Sequence, residues 1–174
     1  GDSMTGVEIK RAAENYVDEA IDDPEAVDAI NAALSKIGDI AIIYDTVSIT
    51  DDVGKQWMDL PATTTYVVEV LDSQGEPYDA WRIRDSMIQL KDPGTYTIHY
   101  RRLPEPIGGI LDTPEVHPAY HNCLVTYVIG WWKLKDDDES PDGLRHMQQF
   151  DAEVMRVFNT LRRRQGPSEI VVIR

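Results

Sequence analysis

The chain has one cysteine in 174 residues, so no internal disulfide can form, and a reducing cytosol is the natural compartment for its synthesis. Cys123 sits in an apolar, helix-like stretch, where cysteine behaves as a small buried hydrophobe. Long apolar runs are missing as well. Ile40–Tyr44 and Cys123–Trp132 fall short of the ~20 residues that span a bilayer, and no basic-then-apolar signal segment opens the chain. The first residue is Gly1, not Met, which reads as a cleavage scar. Positive charge is scarce: 17 Lys and Arg stand against 31 Asp and Glu, a formal net charge of -14. Nucleic-acid affinity rests on cations that neutralise phosphates, and anionic lipid attracts the same cations. The balance therefore argues against a general nucleic-acid binder and against membrane binding. There is no internal repeat and no low-complexity segment.

What is present suits a globular protein. Hydrophobic content of 42% and charged content of 28% allow one domain, 1–174, with a real core. The deficit of cations is steepest in residues 1–40, with 10 acidic and 3 basic side chains. Apolar residues from Val7 to Ile21 recur at helical spacing and predict a first helix over Thr5–Ile21. Asp23 as N-cap, Pro24 at the first helical position and Gly38 as terminator frame a second, with Val27, Ile30, Leu34 and Ile37 on one face. Residues 1–39 are thus a helical hairpin. From Ile40 the period shortens. Val47 and Ile49, the Thr63–Leu71 run, Trp81–Arg84, Met87–Leu90 and the alternation of Tyr96, Ile98 and Tyr100 predict five to seven short strands over 40–103. Asp72–Gly75 and Lys91–Gly94 are the turns. A Pro/Gly-rich loop (104–116) follows, then a helical pair (117–165), the first capped near Thr113-Pro114-Glu115 and the second opened by Ser140-Pro141-Asp142 and closed by Arg162–Arg164. The tail, 166–174, carries Ile170, Val171, Val172 and Ile173 and looks strand-like. The fold class is α+β, with a small antiparallel β-sheet or sandwich between helices.

Candidate sites are few, and each has a plainer reading. His117 and His121 are four apart, a zinc-helix spacing, but Pro118 stands where the accompanying glutamate belongs and no third ligand is evident. Cys123 lies two positions from His121, so on a helix the two side chains diverge. Glu69 faces away from the core of its strand and has no carboxylate partner at a defined distance. Asp136–Glu139 lacks the ligand spacing and turn glycine of a calcium loop. No catalytic, cofactor-binding or metal residue is therefore assigned, and no cofactor is expected. Interface residues are a different matter. The long loop offers Pro106, Gly108, Gly109 and Ile110; of the Trp131-Trp132 pair, one ring can turn outward, and Trp132 is the candidate; the strand-like tail can pair with its own sheet or with a neighbour's.

The wording of the chain resembles that of tailed-phage head–tail connector (adaptor, head-completion) proteins. The resemblance rests on the N-terminal stripe Ala29–Gly38, a β-insert entered through Met58-Asp59-Leu60-Pro61-Ala62, the Tyr96–Tyr100 strand, and Leu103-Pro104. It continues through Val116-His117-Pro118-Ala119-Tyr120 and Tyr127-Val128 into a second, long helix ending in basic residues. It covers Asn31 to Arg164. It implies a structural virion protein, made in the bacterial host cytoplasm, that forms a ring and meets portal and tail-completion proteins. DNA would then be a passing cargo in the lumen, with no membrane, no small-molecule substrate and no enzyme activity. Ring closure needs head-to-tail contacts, which the loop or the tail can supply. Two other readings stand beside it. A non-catalytic β-sandwich interaction module of another phage or bacterial protein calls for one concave aromatic face of Trp57, Tyr66, Trp81 or Tyr96. An enzyme calls for a deep pocket gathering two or more of His99, His117, His121 and Glu69.

Overall fold

The computed structural model describes residues 3–172, apart from the side chains of Asp39 and of 165–172. Contacts divide the chain into two compact units, one helical (Gly1–Ala41 with Pro104–Gly166) and one built on the strands of Ile42–Leu103.

In the helical unit, α1 (Gly6–Val17) begins with a capping box: the Thr5 hydroxyl accepts from Glu8 N–H while the Glu8 carboxylate accepts from Thr5 N–H. It ends at Val17, four residues before the expected Ile21. Asp18 there adopts a left-handed conformation (φ 56°, ψ 37°) that stops the helix, a role Asp tolerates because its short side chain bonds locally. The Glu14 carboxylate then accepts from Ile21 N–H at 2.8 Å and steers Ile21 into the core. Helix α2 (Asp23–Ile37) starts one residue earlier than the sequence pattern indicates. Asp22 is the N-cap, so Asp23 and Pro24 fall in the first turn. Gly38, at φ 44°, terminates α2 as expected.

The buried stripe of α2 is alanine-rich (Ala26, Ala29, Ile30, Ala33, Leu34, Ile37), which lets α3 lie close. Helix α3 (His121–Asp136) is buried on nearly all sides from Cys123 to Gly130, because it is the helix the others surround. It starts later than the expected cap at Thr113–Glu115. A short 3₁₀ turn (Pro118–Tyr120) precedes it, and His117 caps that turn through Nδ1, which accepts from Ala119 N–H at 3.1 Å. Helix α4 (Pro141–Val172) crosses α3 where Gly130 and Gly143 leave no room for a Cβ: one at Gly143 would sit 2.8 Å from Leu134 Cγ. Its buried positions, Gly143, His146, Phe150 and Val154, repeat at helical spacing.

The tail corrects an expectation. Helix α4 does not end at Arg162–Arg164 but continues to Val172, so Ile170, Val171 and Val172 are helical in backbone, and Ile173 lies outside the described residues. β-branched residues favour strands only where a neighbouring strand takes up their backbone groups, whereas a helix satisfies them within the segment. The three arginines are therefore interior to the helix, and the dipole-complement role expected of them lapses.

In the β unit, the strands form two antiparallel three-stranded sheets. The first has the order β1 (Ile43–Asp51), β6 (Gly94–Arg102), β3 (Thr64–Leu71); the second has β2 (Trp57–Asp59), β5 (Met87–Leu90), β4 (Trp81–Arg84). Inward residues of both sheets (Ile49, Val67, Val70, Ile88, Leu90, Tyr96, Ile98 and Tyr100) make one apolar cluster, the sandwich alternative of the sequence reading. Bulges in β3 at Thr64/Tyr66 and Val67/Glu69 each insert a residue and reset which side chains face inward. At the end of β1, the fully buried Asp51 accepts N–H bonds from Val53 (3.1 Å), Gly54 (2.8 Å) and Gln56 (3.3 Å), which fold the chain toward β2. Burial alone pushes its carboxyl up, but the three donors outweigh that and hold it below the usual range.

Candidate interaction surface

The segment between β6 and α3 has little regular structure yet is closely fastened. Pro104, Ile107, Pro114 and Val116 point inward as buried anchors. Asn31 of α2 pairs with the backbone of Ile107 in both directions, as a neighbouring strand would: Oδ1 accepts from Ile107 N–H at 2.8 Å, and Nδ2 donates to Ile107 C=O at 3.1 Å. Asp112 closes the glycine turn by accepting from Gly108 N–H (2.9 Å) and Gly109 N–H (3.0 Å). Its own carbonyl accepts from Gly6 N–H at 2.9 Å. Gly6 is required at that point, since a Cβ there would lie 2.5 Å from Ile110 O.

His121 completes the fastening. Its ring is 1% exposed; Nδ1 accepts from Met4 N–H at 2.8 Å, so Nε2 carries the proton and donates to Pro114 C=O at 3.1 Å. Both ring nitrogens of the neutral tautomer are used, and burial lowers the pKa from its ordinary 6.5. A protonated ring presents a donor to the Met4 donor. The folded-state pKa lies below the unfolded one, so this stability is complete above pH 6.5 and is lost progressively as pH falls below it, where the unfolded chain binds the proton first. Wild type should therefore lose melting temperature between pH 7.5 and 5 more steeply than His121→Asn; parallel profiles would refute the assignment.

The sequence-derived candidates divide clearly. Pro106 and Gly108 are exposed, while Gly109 and Ile110 are half-buried, with Ile110 packed on the helical core. Trp132 is partly buried: its indole N–H donates to Glu19 at 3.1 Å and Lys135 stands 4.8 Å over its ring, which is tilted against Trp131. Ile170, Val171 and Val172 have only their helical backbone described. Leu111, not among the sequence-derived candidates, is 79% exposed at the tip of the fastened loop. The signal was available: in Ile110-Leu111 between two tight turns, one side chain facing the core leaves the other outside.

The other constellations come apart. His117 caps a turn and His121 fastens Met4, so neither imidazole is turned toward the other's task. Glu69 and His99 face each other across β3 and β6 in the β unit, whereas His117 and His121 belong to the helical unit. Cys123 is 1% exposed, and burial pushes its thiol up to about 11, so little thiolate exists at neutral pH. The aromatic set does not form one face: Tyr96 is in the core, Trp81 packs against that core, Trp57 lies on the outer face of the second sheet, and Tyr66 is exposed on the first under Arg101. Among the described residues, no group of three His, Cys, Asp or Glu side chains is arranged to hold a metal, and no helix is long and apolar enough to cross a membrane.

One fastened loop thus holds a single large apolar side chain, Leu111, out to solvent. Residues 4–171 match the model of the SU10 adaptor protein family, and the chain belongs to that family, a phage head–tail adaptor family of structural proteins in virion assembly. The curated proteins gave no match.

Proposed function

We propose that this protein assembles as a ring between portal and tail, contacting portal and tail-completion proteins, in a virion built in the bacterial host. DNA passes through the lumen as cargo, and the protein acts on no small-molecule substrate. The observation that carries this reading, beside the family, is Leu111: a large apolar side chain held out on a loop whose backbone is tied down at Gly6, Asn31 and Asp112. A rigid presenter loses little conformational entropy when it binds, which suits a contact repeated around a ring. The formal charge of -14 weakens adhesion to the cargo. Burying one Leu in an interface is worth about 1.5–3 kcal/mol, or roughly ten- to a hundredfold in affinity. Leu111→Asp should therefore weaken portal-dependent assembly at least about tenfold, measured by mass in solution after mixing with portal rings, and leave the melting temperature unchanged. Wild-type chain that stays monomeric alone and with portal would rule out the ring.

A further inference from the structure

The second sheet of the β unit gathers cations on an acidic chain. Between residues 42 and 103 there are six Lys and Arg, and four of them, Lys55, Arg82, Arg84 and Lys91, lie at or around the second sheet. The register accounts for the grouping. Trp57 and Arg82 are both partners of Gln89 in β5, and Asp59 and Arg84 of Met87, so strand alternation puts these four side chains, two cations and one carboxylate among them, on the face opposite Met58, Ile88 and Leu90. Arg82 and Arg84 stand 5.4 Å and 4.3 Å from the Trp57 ring, as cation–π pairs that hold the guanidiniums side by side. Arg82 Nε also donates to Gln89 Oε1 at 2.6 Å, and Gln89 Nε2 donates to the Lys55 carbonyl at 2.9 Å. An adjoining cleft of about 380 Å³ is lined by Lys55, Asp79, Arg82, Gln89 and Lys91, three cations to one carboxylate. None of the four cations forms an ion pair among the described residues. Guanidiniums oriented on an indole and lacking carboxylate partners are prepared for an acidic ligand.

The same chain holds the complementary charge. Asp136–Glu139, between α3 and α4, is four acidic residues in succession, all exposed. The lysines before it are already engaged, Lys133 with Asp142 at 3.1 Å and Lys135 with Glu25, so this run too has no ion-pair partner among the described residues. We infer that the Trp57–Arg82–Arg84 face receives the Asp136–Glu139 loop of a second copy, a head-to-tail contact between neighbours. The inference rests on the ring reading and assigns its inter-subunit contact. Two different patches on one chain, one basic and one acidic, meet the requirement of a heterologous interface, in which each copy both gives and receives.

The experiment uses two charge reversals in the full chain, R82E/R84E and D137K/D138K, studied alone and mixed by sedimentation with and without portal rings. Each variant alone juxtaposes like charges and should associate at least about tenfold more weakly than wild type. In the mixture every face meets a loop of opposite sign, so association should return, which a folding defect cannot produce. A mixture as weak as its components, or single variants that assemble like wild type, overturns the inference and leaves the ring standing. Wild type that never associates, alone or with portal rings, removes the ring reading and this contact with it. Binding of a duplex oligonucleotide that R82E/R84E abolishes, without recovery on mixing, would assign the face to nucleic acid and overturn it as well.

Discussion

Phe150→Ala should cost about 3–5 kcal/mol of unfolding free energy, read by urea or guanidinium denaturation with the slope unchanged. Phe150 is 2% exposed and is among the largest fully buried side chains of the protein. It stands at the middle of the α4 stripe, edge-on to Tyr127 of α3 with ring centroids 5.0 Å apart. Truncation removes the aromatic area, the edge contact and the filler of a site walled by helices that cannot close over the void. The small residues around it explain why collapse is limited. Gly130 and Gly143 already set α3 and α4 at contact distance one to two turns away, so the helices have no slack to give. Phe150→Leu keeps most of the volume and should lose less than about 1.5 kcal/mol. A loss below about 1 kcal/mol for the alanine variant would mean that α4 is not anchored at this point.

Much of the architecture is legible in the sequence because local chemistry carries it. Tyr96, Ile98 and Tyr100 alternate in β6, and that strand is the central one, paired on both sides. Gly38 ends α2, and Asp72–Gly75 folds into a hairpin turn with Gly75 N–H donating to Asp72 C=O at 3.0 Å. The failures occur where a distant residue decides. Nothing local in His121 announces that Met4, 117 positions away, will occupy its Nδ1. The bulges of β3 depend on the strand it pairs with, and the β-branched run Ile170–Val172 is carried in the backbone of α4 despite its strand propensity. The basic face is invisible for the same reason. Trp57, Arg82 and Arg84 are spread over 28 positions, and only the register of β2, β5 and β4 brings them together. Propensity reads segments; pairing is a property of the whole fold.

Asn31→Ala should lower stability by about 2–4 kcal/mol and release the loop that carries Leu111. The Asn31 amide supplies both partners of Ile107, whose N–H and C=O lie beside a side chain only 6% exposed. Alanine leaves a donor and an acceptor unmet, each costing about 1–3 kcal/mol, unless the loop lifts and lets water in. Lifting also loosens the Gly108 and Gly109 turn and the Gly6–Asp112 bond, because all are made by the same short stretch of backbone. Hydrogen exchange at Ile107, Gly108 and Gly109 should accelerate in the variant while α3 amides stay protected. Asn31→Asp gives a middle result: it still accepts from Ile107 N–H but turns an acceptor toward Ile107 C=O. If Asn31→Ala loses stability while the loop amides remain protected, the anchor lies elsewhere. If the loop is released as expected, portal-dependent assembly should weaken even though Leu111 is intact, because a mobile loop must be ordered again at every contact it makes.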